Sequence, residues 1–179
     1  MNLIEQVRET RSLGTGELVY ASAMIQIARM KPNELYPTAL YVLKDKLRKV
    51  MEIANELAKM GIDIFNLSEV VSEGGYTIGP PLVEGCLGHW GIVDGIHRIY
   101  VARKWKMEVN TILVSNPSMS LCSEPVSWSE VKEYHSRPND PAKVRRLRVN
   151  DDSVTLRKFY RDLSYLGSLG RRPMGVQNG

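Results

Sequence analysis

Ile92-Val93-Asp94-Gly95-Ile96-His97-Arg98, running on into Ile99-Tyr100-Val101-Ala102-Arg103-Lys104, is the stretch that decides the fold of this chain. A short apolar run meets an Asp-Gly step. A histidine and an arginine follow at once, and the residues after them have helical spacing. Such a pattern predicts a strand, a tight turn and a helix with basic side chains at its start. The first N–H groups of a helix have no intrahelical acceptor, and its dipole favours negative charge there. A phosphate therefore has a ready site on Gly95, Ile96, His97 and Arg98, with Asp94 beside it.

Each residue of the turn has its own chemistry. The Arg98 guanidinium stays charged and offers a fork of donors suited to phosphate or carboxylate. His97 can donate to a phosphate oxygen or move a proton near neutral pH. Asp94 can orient a basic neighbour, hold a magnesium ion through water, or cap the helix. Gly95 answers a backbone need, either a positive φ or the close approach of a ligand. A second candidate, Glu34, lies in Lys31-Pro32-Asn33-Glu34 just past a strand end, where a carboxylate could act as a general base.

Working outward, residues 2–11 read as a short amphipathic helix and residues 24–28 as an alternating strand. A long helix is predicted over residues 38–60, with Leu40, Leu43, Leu47, Val50, Met51, Ala54, Leu57 and Ala58 on one face and Gly61 as its stop. Residues 76–84 read as a strand broken by Gly79-Pro80-Pro81. This strand is expected to pair as a hairpin with the one ending at Asp94. A helix over 96–106 and a strand over 107–114 complete the motif-bearing part. Beyond it, a short helix is expected within 128–135, capped by Ser127 or Ser129, and another over 153–166. The pattern predicts an α/β (α+β) fold, with a small mixed sheet and packed helices. Four segments are expected: an N-terminal helical piece (1–19), the nucleotide-binding domain (20–115), a basic helical extension packed on it (116–166) and a flexible tail (167–179).

Composition narrows the function. At 179 residues and 43% hydrophobic, the chain is long enough for a sizeable core. No apolar run reaches membrane-spanning length, so no membrane partner is expected. The two cysteines, Cys86 and Cys122, form no CxxC pair, and the charged N-terminus is unlike a secretory signal. A cytoplasmic location follows as the expectation. His89, His97 and His135 make no metal signature by spacing. The net charge of +4 is uneven. Residues 143–179 carry nine Lys/Arg against three Asp, a net +6. A nucleic-acid partner through residues 143–161 is one reading of that excess, and a solvated basic face is the other.

The box Val93-Asp94-Gly95-Ile96-His97-Arg98, with Ala102 and a strand after it, resembles the signature of the ParB/sulfiredoxin superfamily. Lys31-Pro32-Asn33-Glu34, the long helix ending at Gly61 and Pro81-Leu82-Val83 stand in the family's order, so the resemblance spans about residues 20–115. It implies a small fold that binds nucleotide phosphates at the strand–turn–helix. Sulfiredoxins need a cysteine where Ile96 stands, which excludes their chemistry. ParB-type partition proteins fit at Arg98 and Ala102 but carry a helix-turn-helix, which is not evident after residue 115. The Asp-Gly-x-His-Arg form is closest in motif to the free-serine kinases, although Ile96 replaces a second histidine and Leu35 a second acid.

That resemblance implies ATP, ADP or CTP as ligand, with Mg²⁺ held through the phosphates. It implies phosphoryl transfer to a small hydroxyl acceptor such as an amino acid, or NTP hydrolysis, with Glu34, His97 and Asp94 as catalytic residues. The alternative it carries is a ParB-like, nucleotide-dependent DNA-binding regulator. A nuclease of the same fold is a third reading.

Overall fold

A computed structural model of the protein describes residues 1–167. Its centre is a five-stranded mixed sheet built from β1 (Met24–Met30), β2 (Leu35–Tyr36), β6 (Leu82–Cys86), β7 (His89–Asp94) and β8 (Val109–Ser115). The spatial order is β1-β8-β6-β7-β2. β1 runs antiparallel to β8, β8 parallel to β6, β6 antiparallel to β7, and β7 parallel to β2. The expected hairpin is therefore β6–β7. It follows a separate small ribbon of β4 (Val71–Glu73) and β5 (Tyr76–Ile78). Pro80 and Pro81, which cannot donate to a ladder, separate β5 from β6.

Side chains of β6 and β8 alternate between two apolar layers, as the period of a strand requires. Val83 and Leu113 face a layer built from α2 (Lys44–Ala58) and α3 (Ile96–Lys104), with Val50, Ile53, Leu57, Ile99 and Ala102. Leu82, Ile112 and Val114 face the opposite layer, formed by α1 (Leu3–Arg8), Val19, Tyr20, Leu163 and Leu166. Full burial of a Leu or Ile side chain stabilises by about 1.5–3 kcal/mol, so both faces hold the sheet. The C-terminal segment is thus part of the core.

Several elements differ from the expectation. The predicted helix over 38–60 starts only at Lys44, because Tyr41–Leu43 forms β3. β3 pairs in parallel with β9 (Lys132–Tyr134), 91 residues further along the chain, and the expected short helix within 128–135 reduces to a 3-10 turn over Trp128–Glu130. Ser127 caps that turn through Ser129 N at 3.2 Å. Gly61, at φ +76°, ends the α2 region as expected. The predicted helix over 153–166 stops earlier, as α4 (Ser153–Phe159), and a second 3-10 turn covers Ser164–Leu166. Here Asp152 caps Thr155 N at 2.8 Å, but Arg161 turns inward and breaks the helix. The extension is therefore mostly irregular, and the tail expected at 167–179 lies outside the described residues except for Gly167. No described helix is long and apolar enough to cross a membrane.

Candidate functional site

The turn between β7 and α3 is shaped by two features of its neighbours. Leu82 pairs with Asp94 but Val83 pairs with Ile92, so Val93 is the extra residue of a bulge. A bulge increases the local twist and re-aims the side chains around it. Gly95 then takes φ +87° as the cap residue of α3, with no side-chain cap. A Cβ there would lie 2.7 Å from Cβ of Pro81. Only glycine fits both the φ and the space, and α3 begins without a capping side chain over its first N–H groups.

The N-terminus of α2 meets this turn. Leu43, the cap residue of α2, donates its backbone N–H to Nε2 of His97 at 3.0 Å. Nε2 is thus an acceptor, and the hydrogen of the neutral ring sits on Nδ1. Thr38 Oγ1 donates to the Ile92 carbonyl at 2.7 Å, which ties the segment before β3 to the end of β7. Two helix N-termini with their positive dipole ends therefore converge at His97. Asp94, Gly95, Ile96 and His97 are all partly exposed there.

Arg98 is placed differently. It is 4% exposed, and Nη1 donates to the carbonyls of Gly79 at 2.7 Å and Ile64 at 3.3 Å. Its Nε has no hydrogen-bond partner. Burial, partly offset by the charge of Asp94, pushes its pKa down to about 10. In this geometry Arg98 joins the turn to the loops at 64 and 79 and does not present a fork at the surface.

Glu34 stands at the other end of β7. Leu35 lies level with Trp90, four residues before Asp94, or about 13 Å along the strand. Its Oε2 accepts from Lys31 N at 2.9 Å within the 3-10 turn Pro32–Glu34. That turn is pinned to the C-terminal end of α3, where Arg103 Nε donates to Asn33 Oδ1 at 3.0 Å. Trp128 Nε1 donates to the Pro32 carbonyl, also at 3.0 Å. The structure brings Asp94, Gly95, Ile96 and His97 together and leaves the Glu34 carboxylate apart from them.

Three contributors were not singled out from the residues alone. Pro81 shapes the turn, and its signal was the Gly79-Pro80-Pro81 run. Leu43 contributes the α2 end, hidden because Tyr41-Val42-Leu43 fits a helix stripe as well as a strand. Tyr165 comes from the C-terminal segment. Its Oη lies 2.8 Å from Thr10 Oγ1. Burial pushes its pKa up to about 12, and the negative charge of Asp94 adds to that rise. Among the described residues no group of three His, Cys, Asp or Glu could hold a metal ion.

No curated protein matches the chain, and no solved structure matches it. A family model described as the ParB CE domain matches residues 2–117.

Proposed function

The chain belongs to the ParB CE domain family, and with that as the premise we propose that it is a nucleotide-binding module that holds its ligand by the phosphates at the β7–α3 turn. The observation that carries this reading is Gly95. Its left-handed φ, with Pro81 packed where a Cβ would stand, starts α3 without a side-chain cap, beside the α2 end joined through His97. Backbone N–H groups and two helix dipoles favour an anion at such a point. ATP, ADP and CTP all carry the required phosphates, and Mg²⁺ would neutralise them without protein ligands of its own.

Binding is preferred to phosphoryl transfer on one ground. A general base must come within hydrogen-bond reach of the hydroxyl it serves. The Glu34 carboxylate caps its own 3-10 turn at the opposite end of β7. His97 Nε2 is already an acceptor for a backbone N–H.

Thermal shift of the full chain with ATP, ADP, CTP and the matching nucleosides, with and without Mg²⁺, tests the reading, because a ligand of the folded state raises its stability. Nucleotides should stabilise the protein and nucleosides should not. Ile96→Asp places a carboxylate in the first turn of α3, where the dipole tolerates it but a phosphate does not. Its nucleotide affinity should fall by about tenfold or more. Because Ile96 packs against the core, its melting curve is recorded alongside, and Ile96→Leu, which keeps that packing, should bind as the wild type does. Equal binding of nucleoside and nucleotide would overturn the proposal, as would wild-type affinity in Ile96→Asp. Glu34-dependent transfer of labelled phosphate from ATP to an added hydroxyl acceptor would restore the enzyme reading.

A further inference from the structure

Beyond residue 117, outside the family match, lies a surface that the turn does not use. The loop at 137–147 and the end of α4 enclose a groove of about 350 Å³. Val144, Leu147 and Leu156 give it an apolar lining, and Arg137, Arg145 and Tyr160 also face it. The Arg145 guanidinium lies over the Tyr160 ring, 5.4 Å from its centroid. A cation and an aromatic ring thus already face each other at one wall.

The segment that forms this groove carries an excess of positive charge. Eight cations lie between residues 137 and 161. Among the described residues, carboxylate ion pairs engage Arg146, with Glu130 at 2.6 Å, and Arg161, with Glu84 at 2.8 Å. Three acids fall in the same span, Asp140, Asp151 and Asp152. Two of them also cap turns, Asp140 accepting from Ala142 N and Asp152 from Thr155 N, and keep their charge there. Asp151 remains as the acid lining the groove.

We propose that this groove is a binding site for single-stranded nucleic acid, in which a base packs at the Arg145–Tyr160 pair and a flanking phosphate meets Arg137. A cationic surface alone would suit any polyanion. The apolar lining and the aromatic ring select a ligand with an exposed π-face, which a single strand offers and a duplex keeps internal. An acidic peptide supplies the charge but no face to stack. The site is separate from the phosphate reading of the β7–α3 turn and stands or falls without it.

Fluorescence anisotropy of the full chain with a labelled oligothymidylate of roughly a dozen nucleotides tests the site. A duplex of the same length and an oligoglutamate serve as competitors. The single strand should bind with an affinity that falls steeply with salt, and neither competitor should displace it at equal charge. Arg137→Glu combined with Arg145→Glu should lose about tenfold or more. Tyr160→Leu should remove the preference for single strand over duplex, while Tyr160→Trp should keep it. Melting curves check the fold of each variant, and the arginine pair decides the matter if the Tyr160 variants unfold. No binding by the wild type overturns the proposal, and so does wild-type affinity in the arginine double variant. Displacement by oligoglutamate at equal charge identifies an acidic-peptide surface instead. Nucleotide stabilisation at the turn, measured on the same variants, should be unchanged.

Discussion

Arg98 is where the residue types of the box and their geometry part. The side chain that best suits a phosphate by chemistry turns its Nη1 to two backbone carbonyls, leaves Nε without a hydrogen-bond partner and is almost fully buried. Its removal therefore first tests the fold. Arg98→Met should lower stability by about 2–4 kcal/mol, because the carbonyls of Ile64 and Gly79 lose a buried donor, and urea denaturation reads that loss directly. Loss of nucleotide binding in such a variant would say nothing about contact with a ligand, which is why Ile96→Asp, read against Ile96→Leu, is the cleaner probe. At this scale the sequence was legible for backbone and opaque for direction. Asp94-Gly95 marked the turn, since a turn residue announces its φ. Nothing local told whether Arg98 would point outward, because that depends on Ile64 and Gly79, which are distant in the chain. The same holds for Glu34. Its spacing of three from Lys31 was as much a signature of a carboxylate closing its own turn as of a base.

Among the elements, α2 and α3 followed from their periodicity, and the β6–β7 hairpin followed from apolar runs and turn residues. The elements that departed are those whose state is set by a partner. Tyr41–Leu43 is apolar at spacings that suit a helix face, and it becomes strand β3 because β9 lies alongside. Lys132–Tyr134 has no alternation of its own and is a strand for the same reason. The 3-10 turn at Ser164–Leu166 offers a check on how tightly the C-terminal elements are held. Burial raises the Tyr165 phenol to about 12, above its ordinary 10. The folded state therefore holds this proton more firmly than the unfolded state. The stability it contributes is fully present below about pH 10 and is lost as pH rises through about 12. Tyr165→Phe should flatten that part of the stability profile, and absorbance titration should find one phenol fewer ionising late.

For the whole molecule, the arresting fact is how far the C-terminal segment enters the core. Arg161 reaches Glu84 in the sheet with Nε to Oε1 at 2.8 Å and Nη2 to Oε2 at 3.0 Å. Nη2 also donates to the Met119 carbonyl at 2.5 Å, and Tyr20 donates its hydroxyl to the same carboxylate. Both ion-pair side chains are 1% exposed. Breaking one side of such a pair costs about 3–5 kcal/mol, so Arg161→Met should destabilise the chain by that order. Burial already pushes the Glu84 carboxyl up, with Arg161 pulling it down. Without Arg161 the folded value rises further above the unfolded one, and a raised carboxyl loses stability as pH rises through it. The variant should therefore be weaker relative to wild type at about pH 8 than at about pH 5, measured by urea denaturation at both.

A second link crosses between the same parts. The peptides flanking Gly79 are bonded on both sides: its N–H donates to the Leu166 carbonyl at 2.7 Å, and its carbonyl accepts from Arg98. Hydrogen exchange at the Gly79 amide can proceed only when residues 164–166 lift away from it, so its rate times the opening of the C-terminal segment. One amide, next to the arginine of the turn and under the 3-10 turn at Ser164–Leu166, is a natural clock for how closely these two parts of the protein keep step.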